Sequence, residues 1–402
     1  MKYIVLLGDG MPDEEIEQLG GKTPLEYAHT PAMDFMARRG RLGMAQTIPR
    51  GFPPGSDVAN LSVFGYDPAT CYTGRSPLEA ASMGVALGPD DVAFRLNLVN
   101  LRRENGDVFM GDYSAGHIST EEGRELVLAL GRELGSGEFE FHPGVSYRHL
   151  MVWRNGRDKL ELTPPHDISG KPVKEYLPRG DGAEALLSLM DKSQAILSGH
   201  SQHGRRLESG KTPANSIWLW GHGKAPKMET YASKFGLNGA VISAVDLIRG
   251  IGVYAGLEIV KVAGATGYLD TNYHGKAEAA LEALERLDFV YLHVEAPDES
   301  SHSGSLENKI RAIEDFDAKI VAPISKKIKK FGEYRILCTP DHPTPLRLMT
   351  HTADPVPFFI YGGEEDPCGE VNGYDENSAR KTGLFLDKGF RMMELMLSGK
   401  PR

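Results

Sequence analysis

Cysteine is scarce in this chain: Cys71, Cys338 and Cys368 are the only three in 402 residues. Their odd number and wide separation exclude a disulfide framework and point to a reducing, cytoplasmic setting. Cys338 sits inside the apolar run Ile336-Leu337-Cys338 and reads as a buried structural thiol rather than a nucleophile. Long apolar runs are missing too. None approaches the roughly 20 residues needed to cross a bilayer, so no membrane partner is expected. The opening Met1-Lys2-Tyr3-Ile4-Val5-Leu6-Leu7-Gly8-Asp9 meets an acid too soon for a signal peptide and reads as a first core strand. Positive charge is in deficit, with 45 Lys and Arg against 55 Asp and Glu and a formal net charge of -10. That balance excludes a general nucleic-acid binder. An anionic substrate would need a local cationic cluster or metals to hold it against the average field. Heptads, low-complexity segments and fixed-period repeats are absent as well, and nothing in the pattern specifies an oligomeric state.

What is present suits a soluble globular chain, with 41% hydrophobic and 25% charged residues over a length sufficient for two cores. Strand-like and helix-like segments alternate at both ends. After strand 3–7, Thr30-Pro31 opens a helix to Arg39, with Thr30 as N-cap and Gly40 as the stop. Ser76-Pro77 repeats the start signal. Later, 257–262 reads as a strand, 275–287 as a helix and 289–294 as a strand. A helical pattern over 306–330 follows, then strands 334–339 and 357–361 and a final helix over 379–397. Such alternation predicts an α/β fold with a mainly parallel sheet covered by helices on both faces. The middle of the chain differs, with short strands at 92–101 and 149–153, helices at 120–134 and 183–190, and loops rich in Pro and Gly. It reads as a smaller α+β domain, 88–220, inserted into a discontinuous domain made of 1–87 and 221–402.

Open α/β sheets place ligands beyond the carboxyl ends of their strands. Asp9, Asp298 and the pair Asp341-His342 all follow apolar runs, although hundreds of residues separate them. His302 lies four residues after Asp298, on one face if that turn is helical, and His351 follows shortly after Asp341-His342. Each pair alone reads as a surface salt bridge or cap; together they read as a two-metal site. Carboxylate and imidazole without thiolate suit Mn, Mg, Zn or Co, and the ligand types do not choose among them. Pro53-Pro54-Gly55-Ser56-Asp57-Val58 supplies a nucleophile candidate. As a bland helix start Ser56 would be an N-cap. On an exposed elbow beside a dication its oxygen would be a nucleophile near neutral pH, with the helix N-terminus favouring phosphate.

The chain resembles the archaeal-type 2,3-bisphosphoglycerate-independent phosphoglycerate mutases of the alkaline phosphatase superfamily. The likeness is carried by Leu7-Gly8-Asp9-Gly10-Met11, by Pro54-Gly55-Ser56-Asp57-Val58-Ala59-Asn60-Leu61-Ser62-Val63-Phe64-Gly65-Tyr66-Asp67, and by Thr73-Gly74-Arg75-Ser76-Pro77-Leu78-Glu79-Ala80. It continues in Pro164-Pro165-His166-Asp167-Ile168, Ser216-Ile217-Trp218-Leu219-Trp220-Gly221 and Val294-Glu295-Ala296-Pro297-Asp298-Glu299. The resemblance implies a phosphatase-like metal domain with an inserted substrate domain that binds the glycerate moiety. It implies that Ser56 is phosphorylated and returns the group to a different hydroxyl of glycerate, without 2,3-bisphosphoglycerate. Asp9, Ser56, Asp341 and His342 would hold one metal, and Asp298, His302 and His351 the other. His166 and Asp167 fall where the family handles substrate, although a Pro-Pro loop with an Asx-type turn accounts for Asp167 equally well. For anion binding the polar stretch 203–215 offers Arg205, Arg206 and Lys211; Arg95 and Arg102 are weaker candidates. His117 is a proton-transfer candidate whose bland reading is a capping histidine. The expected partner is a small phosphorylated metabolite. The short branch of the family also contains homoserine-kinase-like phosphotransferases, so transfer to another metabolite, or hydrolysis of a phosphomonoester, stands as the alternative function.

Overall fold

The structure is a computed structural model that describes residues 1–362 and 371–398. Two compact units result, one from residues 1–72 with the chain from Lys227 onward, the other from Thr73–Pro226. The joints expected at 87/88 and 220/221 therefore differ from those observed at 72/73 and 226/227. The reason is local. The short helix Ser76–Ser82 belongs with the second unit, where the Ser76 hydroxyl donates to the Gly221 carbonyl at 2.6 Å and Glu79 pairs with Arg95 at 3.0 Å.

The first unit is built on an eight-stranded sheet. From one edge it runs Glu258–Ile259, Gly239–Ile242, Phe289–Val294, Lys2–Gly8, Tyr334–Thr339, Val356–Tyr361, Arg41–Ala45 and Phe385–Leu386. Every pairing is parallel except the two made by Val356–Tyr361, which gives the mainly parallel sheet expected of an α/β chain. The central strands Phe289–Val294 and Lys2–Gly8 are almost wholly buried, matching their unbroken apolar sequence. The core around them is filled by Ile4, Leu6, Val290, Leu292, Ile336, Phe316 and Ile320 among others. Cys338 lies in that core, its thiol 3.9 Å from the Met33 sulfur, and Cys71 is buried and free; Cys368 lies outside the described residues.

Several elements depart from expectation. Strand 257–262 shortens to Glu258–Ile259. The single helix expected over 306–330 is Leu306–Phe316, a π-helical turn Asp317–Val321, then Ala322–Lys327 and a 3₁₀ turn. The expected final helix is two helices, Glu376–Lys381 and Arg391–Ser398, because the chain breaks at Gly383, whose φ is +73°. Thr30 does not cap Pro31–Arg39 with its side chain; Asp317 from the π turn accepts the Ala32 and Met33 amides instead, at 3.2 and 2.7 Å.

The second unit carries a five-stranded antiparallel sheet. Val92–Glu104 lies at its centre, between Asp107–Asp112, Arg148–Trp153 and Ser216–Lys224, and Phe139–Val145 pairs with Arg148–Trp153. Helices Thr120–Leu134 and Ala183–Gly199 pack on the core that contains Phe94, Leu130, Leu186 and Trp218. Among the described residues no helix is long and apolar enough to cross a membrane.

Candidate active site

Three central strands of the first unit end close together, and each is followed by an acid. Asp9 comes directly after Lys2–Gly8, with its amide donating to the Val294 carbonyl at 2.9 Å. Gly10 then turns the chain with φ +63°. A Cβ there would come within 2.6 Å of both the Asp298 carboxylate and the Thr344 hydroxyl, so only glycine admits Asp298. Asp298 and His302 occupy the helix Ala296–His302 and meet as an i,i+4 pair, Nε2 to carboxylate at 3.2 Å. Asp341-His342 follows the strand Tyr334–Thr339, and both side chains are completely buried.

The side-chain atoms converge as two overlapping groups, Asp9 with Asp341 and His342, and Asp298 with His342 and His351. His342 Nε2 lies 3.5 Å from Asp9 Oδ1, 3.3 Å from Asp341 Oδ2 and 3.1 Å from the Ser56 hydroxyl. His302 Nε2 and His351 Nε2 are 2.9 Å apart, and His351 Nε2 is 3.6 Å from Asp298 Oδ1. His302 turns its other nitrogen, Nδ1, to the Met349 carbonyl at 2.9 Å. Met349 has φ +52°, a strained position for a side-chain-bearing residue that aims its carbonyl at the ring.

Ser56 opens the helix Ser56–Val63 at its first helical position, with Gly55 preceding it. The N-cap is Gly55, so the bland N-cap reading does not describe Ser56; its hydroxyl faces His342. Two buried residues hold this corner that the sequence analysis did not single out. Asn60 donates to Asp341 Oδ2 at 2.8 Å and to the Ser56 carbonyl at 2.9 Å, while its own oxygen accepts from the Tyr291 hydroxyl at 2.6 Å. His293 lies 2.8 Å from Asp9 Oδ2, and burial pushes its imidazole down to about 3. Asn60 stands inside a quoted motif, but His293 is hidden in an apolar strand and left no sequence signal.

The electrostatics describe a centre that wants cations. Burial, then the neighbouring Asp341 and Asp298 carboxylates, push the Asp9 carboxyl well above its usual range. Burial, then Glu299 and Asp298, raise Glu295 to about 8. Burial works against ionisation of Asp298 too, yet hydrogen bonds from His302 and His351 hold it well below the usual range. The Asp298 hydrogen bond lifts His302 to about 9. Burial lowers His342. The fit to divalent ions is tested by Asp9 Oδ1, which is buried without a hydrogen-bond partner while surrounded by other ligand-type atoms. A buried acceptor left without a donor is costly, and a bound cation relieves it. The donor set of oxygens and imidazoles fits such an ion.

In the second unit the expected residues separate. His166 and Asp167 share a short 3₁₀ turn, both exposed and 3.6 Å apart. His166 packs edge-on to Trp220 and Tyr113, with ring centroids 5.3 and 6.1 Å away. Burial lowers its pKa, with Arg95 and Arg75 acting the same way against Asp167. Arg95 lies over Trp220 at 4.6 Å and pairs with Glu79. Its own pKa is lowered by burial, and Arg75 and Arg148 press in the same direction. Arg75, Arg95, Arg148 and His166 thus gather beside Trp220, Tyr113 and Tyr147. Arg75, within a quoted motif, and Arg148 were not singled out, and Arg95, a weaker anion-binding candidate, is a charged residue inside the apolar strand Val92–Glu104. His117 is exposed, with φ +47° and its ring 6.0 Å from that of Tyr147.

The stretch 203–215 does not join this cluster in the same way. Arg206 is buried and donates to the Thr212 and Ala115 carbonyls and to Glu122, so its guanidinium is committed to holding the fold. Arg205 is an exposed neighbour of Ser201 and Glu125, Lys211 is exposed, and Arg102 pairs with Glu104 in solvent.

Fold and site together define an α/β protein that brings carboxylates, imidazoles and a serine hydroxyl together beyond the carboxyl ends of its strands, side-chain types suited to metal-assisted group transfer. Residues 37–203 match the family model described as 2,3-bisphosphoglycerate-independent phosphoglycerate mutase. The chain is 67% identical over 397 residues to a Geobacter sulfurreducens protein named as a probable 2,3-bisphosphoglycerate-independent phosphoglycerate mutase, covering 99% of this chain and 100% of that one. It is 54% identical to the Methanosarcina barkeri protein of that name, with both chains fully covered. A solved Pyrococcus horikoshii structure superposes with a TM-score of 0.83 at 31% identity, covering 98% of this chain and 96% of that one. The cofactor-independent phosphoglycerate mutase from Thermoplasma acidophilum superposes with a TM-score of 0.69 at 26% identity, covering 99% of each. The chain belongs to the 2,3-bisphosphoglycerate-independent phosphoglycerate mutase family.

Proposed function

We propose that this chain interconverts 3-phosphoglycerate and 2-phosphoglycerate through a phosphoserine at Ser56, without 2,3-bisphosphoglycerate. The observation that carries the reading is the Ser56 hydroxyl, 3.1 Å from His342 Nε2, the nitrogen that also lies 3.5 Å from Asp9 Oδ1, a buried carboxylate oxygen with no hydrogen-bond partner. Asp9, Ser56, Asp341 and His342 would hold one divalent ion and Asp298, His302 and His351 a second, with Mn foremost and Mg, Co or Zn as the other candidates. Such ions, when bound, neutralise charge on the phosphoryl oxygens and ease ionisation of the serine hydroxyl.

The protein's own part is positional. Asn60 ties the start of the Ser56 helix to Asp341, and the Pro-Pro-Gly elbow leaves the hydroxyl free of capping duty. A bond forms from Ser56 Oγ to phosphorus as the bond to the first glycerate oxygen breaks, and that oxygen leaves as a hydroxyl. The second hydroxyl of the same glycerate then takes the phosphoryl group back, restoring Ser56. Net charge is unchanged and no external phosphate enters. Substrate carboxylate and phosphate suit the Arg75, Arg95, Arg148 and His166 group of residues 73–226, whose planar guanidinium groups match such oxyanions. His117 and Asp167 are the proton-handling candidates of that region.

An enolase-coupled assay with Mn²⁺ and no bisphosphoglycerate tests this. Turnover is expected, and Ser56→Ala should abolish it while the protein still binds metal. No turnover by metal-loaded enzyme, or full turnover by Ser56→Ala, would sink the reading. Phosphate released to water or passed to homoserine would favour the other chemistries of this machinery.

A further inference from the structure

Asp9 is held from behind by a chain of buried groups. His293 lies in Phe289–Val294, level with Leu7 of the neighbouring strand, and is 1% exposed. Its Nε2 is 2.8 Å from Asp9 Oδ2, and its Nδ1 is 3.1 Å from the Ser243 hydroxyl. Ser243 follows Gly239–Ile242, the strand on the other side of Phe289–Val294. Three adjacent strand ends are thereby linked in one line, Ser243 to His293 to Asp9.

The direction of each hydrogen bond follows from the donors. The Asp9 carboxylate can only accept, so the Nε2 facing it at 2.8 Å carries the proton of a neutral ring. Nδ1 is left to accept from the Ser243 hydroxyl, whose oxygen takes the Val245 amide at 3.0 Å. One Asp9 oxygen is so engaged and the other, Oδ1, has no hydrogen-bond partner. Serine, imidazole and carboxylate in a row suggest a hydrolytic triad, but Ser243 is 3% exposed and its oxygen is occupied by an amide.

We infer that His293, held at Nδ1 by the Ser243 hydroxyl, is a positioning residue that fixes the Asp9 carboxylate so that only Oδ1 is offered to a metal ion. The inference rests on reading the centre as a two-ion site. Outer-sphere partners of this kind alter metal affinity by roughly 10- to 100-fold. Their effect is confined to the ion whose ligand they hold.

The test is a Mn²⁺ titration of the chelator-stripped full chain, read as free Mn²⁺ by electron paramagnetic resonance. The wild type should take up two ions. His293→Leu should weaken one of them by roughly 10- to 100-fold and leave the other unchanged. His293→Gln, which keeps an N–H donor, should restore most of that loss, and Ser243→Ala should weaken the same ion to a smaller degree. At saturating Mn²⁺ the KM for phosphoglycerate should stay at the wild-type value in all three. Wild-type affinity for both ions in His293→Leu overturns the inference, and so does equal weakening of both, which is what a merely structural role predicts. If His293→Leu does not fold, Ser243→Ala decides, because unchanged affinity there overturns the inference as well. Fewer than two ions in the wild type overturns the two-ion reading itself, before any variant is made.

Discussion

Lys309 is an ammonium with no exposed surface. It donates to Asp13 Oδ2 at 2.7 Å, to the Thr344 carbonyl at 2.9 Å and to the Pro12 carbonyl at 3.3 Å. It therefore pins the loop after Asp9 to the loop after Asp341-His342. Such a pair is not a large net source of stability, but removing one partner leaves the other charge buried. Lys309→Met is expected to cost about 3–5 kcal/mol, read from urea unfolding of the metal-free protein. The double variant Lys309→Met, Asp13→Asn should recover part of it; no loss in the single variant would refute the pinning role. At this scale the sequence was legible where function leaves its mark in a local pattern. Ser56 behind Pro-Pro-Gly and Asp341-His342 at a strand end could be read, whereas Lys309 and His293 could not. Their partners lie hundreds of residues away, and a lysine in a helix or a histidine in an apolar strand has bland explanations that usually win.

Among the elements, the helix Pro31–Arg39 shows how a missing local cap is supplied from a distance. Thr30 is placed to cap it, yet the amides of Ala32 and Met33 go to Asp317 in a π-helical turn. Burial raises the Asp317 carboxyl to about 6, against 3.8 ordinarily, although the two amides oppose the shift. A folded-state value above the unfolded one means that the folded protein binds the proton more tightly. The contribution is fully present below pH 3.8 and is lost as pH rises through about 6. At about 1.36 kcal/mol per pH unit this amounts to about 3 kcal/mol. Asp317→Asn should accordingly gain about that much relative to wild type between pH 4 and pH 7 in urea unfolding, and a difference that does not vary with pH would contradict it. The strands at 3–7, 289–294, 334–339 and 357–361 were legible because they are nearly unbroken apolar runs, whereas 257–262 shortened and Arg41–Ala45 and Gly239–Ile242 were not read. Helix interruptions were not legible. The π turn at 317–321 follows a continuous apolar periodicity, and the break near Gly383 depends on a short edge strand, Phe385–Leu386, that pairs with Arg41–Ala45.

For the molecule as a whole, the two units carry different side-chain sets, buried acids and imidazoles in the first and Arg75, Arg95, Arg148 and His166 in the second. Buried Asp9, Asp298, Asp341 and Glu295 repel one another without cations, so ions should stabilise the unit that holds them. Mn²⁺ at about 100 times its Kd should add about 2.7 kcal/mol for each ion bound. Calorimetry with and without chelator reads this as a higher Tm, and an unchanged Tm would count against the metal centre. Arg148 is exposed in the cationic cluster of residues 73–226 and is free of the Glu79 pairing that commits Arg95. Arg148→Ala should raise KM for phosphoglycerate by about 10-fold or more, as expected for a lost charged hydrogen bond, and leave Mn²⁺ affinity unchanged. Equal KM values would remove Arg148 from substrate binding.

The sequence by itself determined the α/β alternation, the strand ends that carry Asp9 and Asp341-His342, the serine elbow and the family. The alternation, the strand ends and the elbow follow from short-range rules of apolar period and turn chemistry, and the family from the resemblance carried by the quoted motifs. Only the tertiary structure decided that His342 faces both acid groups, that Arg206 is spent on carbonyls, and that Arg75, Arg95, Arg148 and His166 gather. Those facts depend on which distant segments share a sheet and on what each buried donor must satisfy, and no local pattern in the chain encodes either.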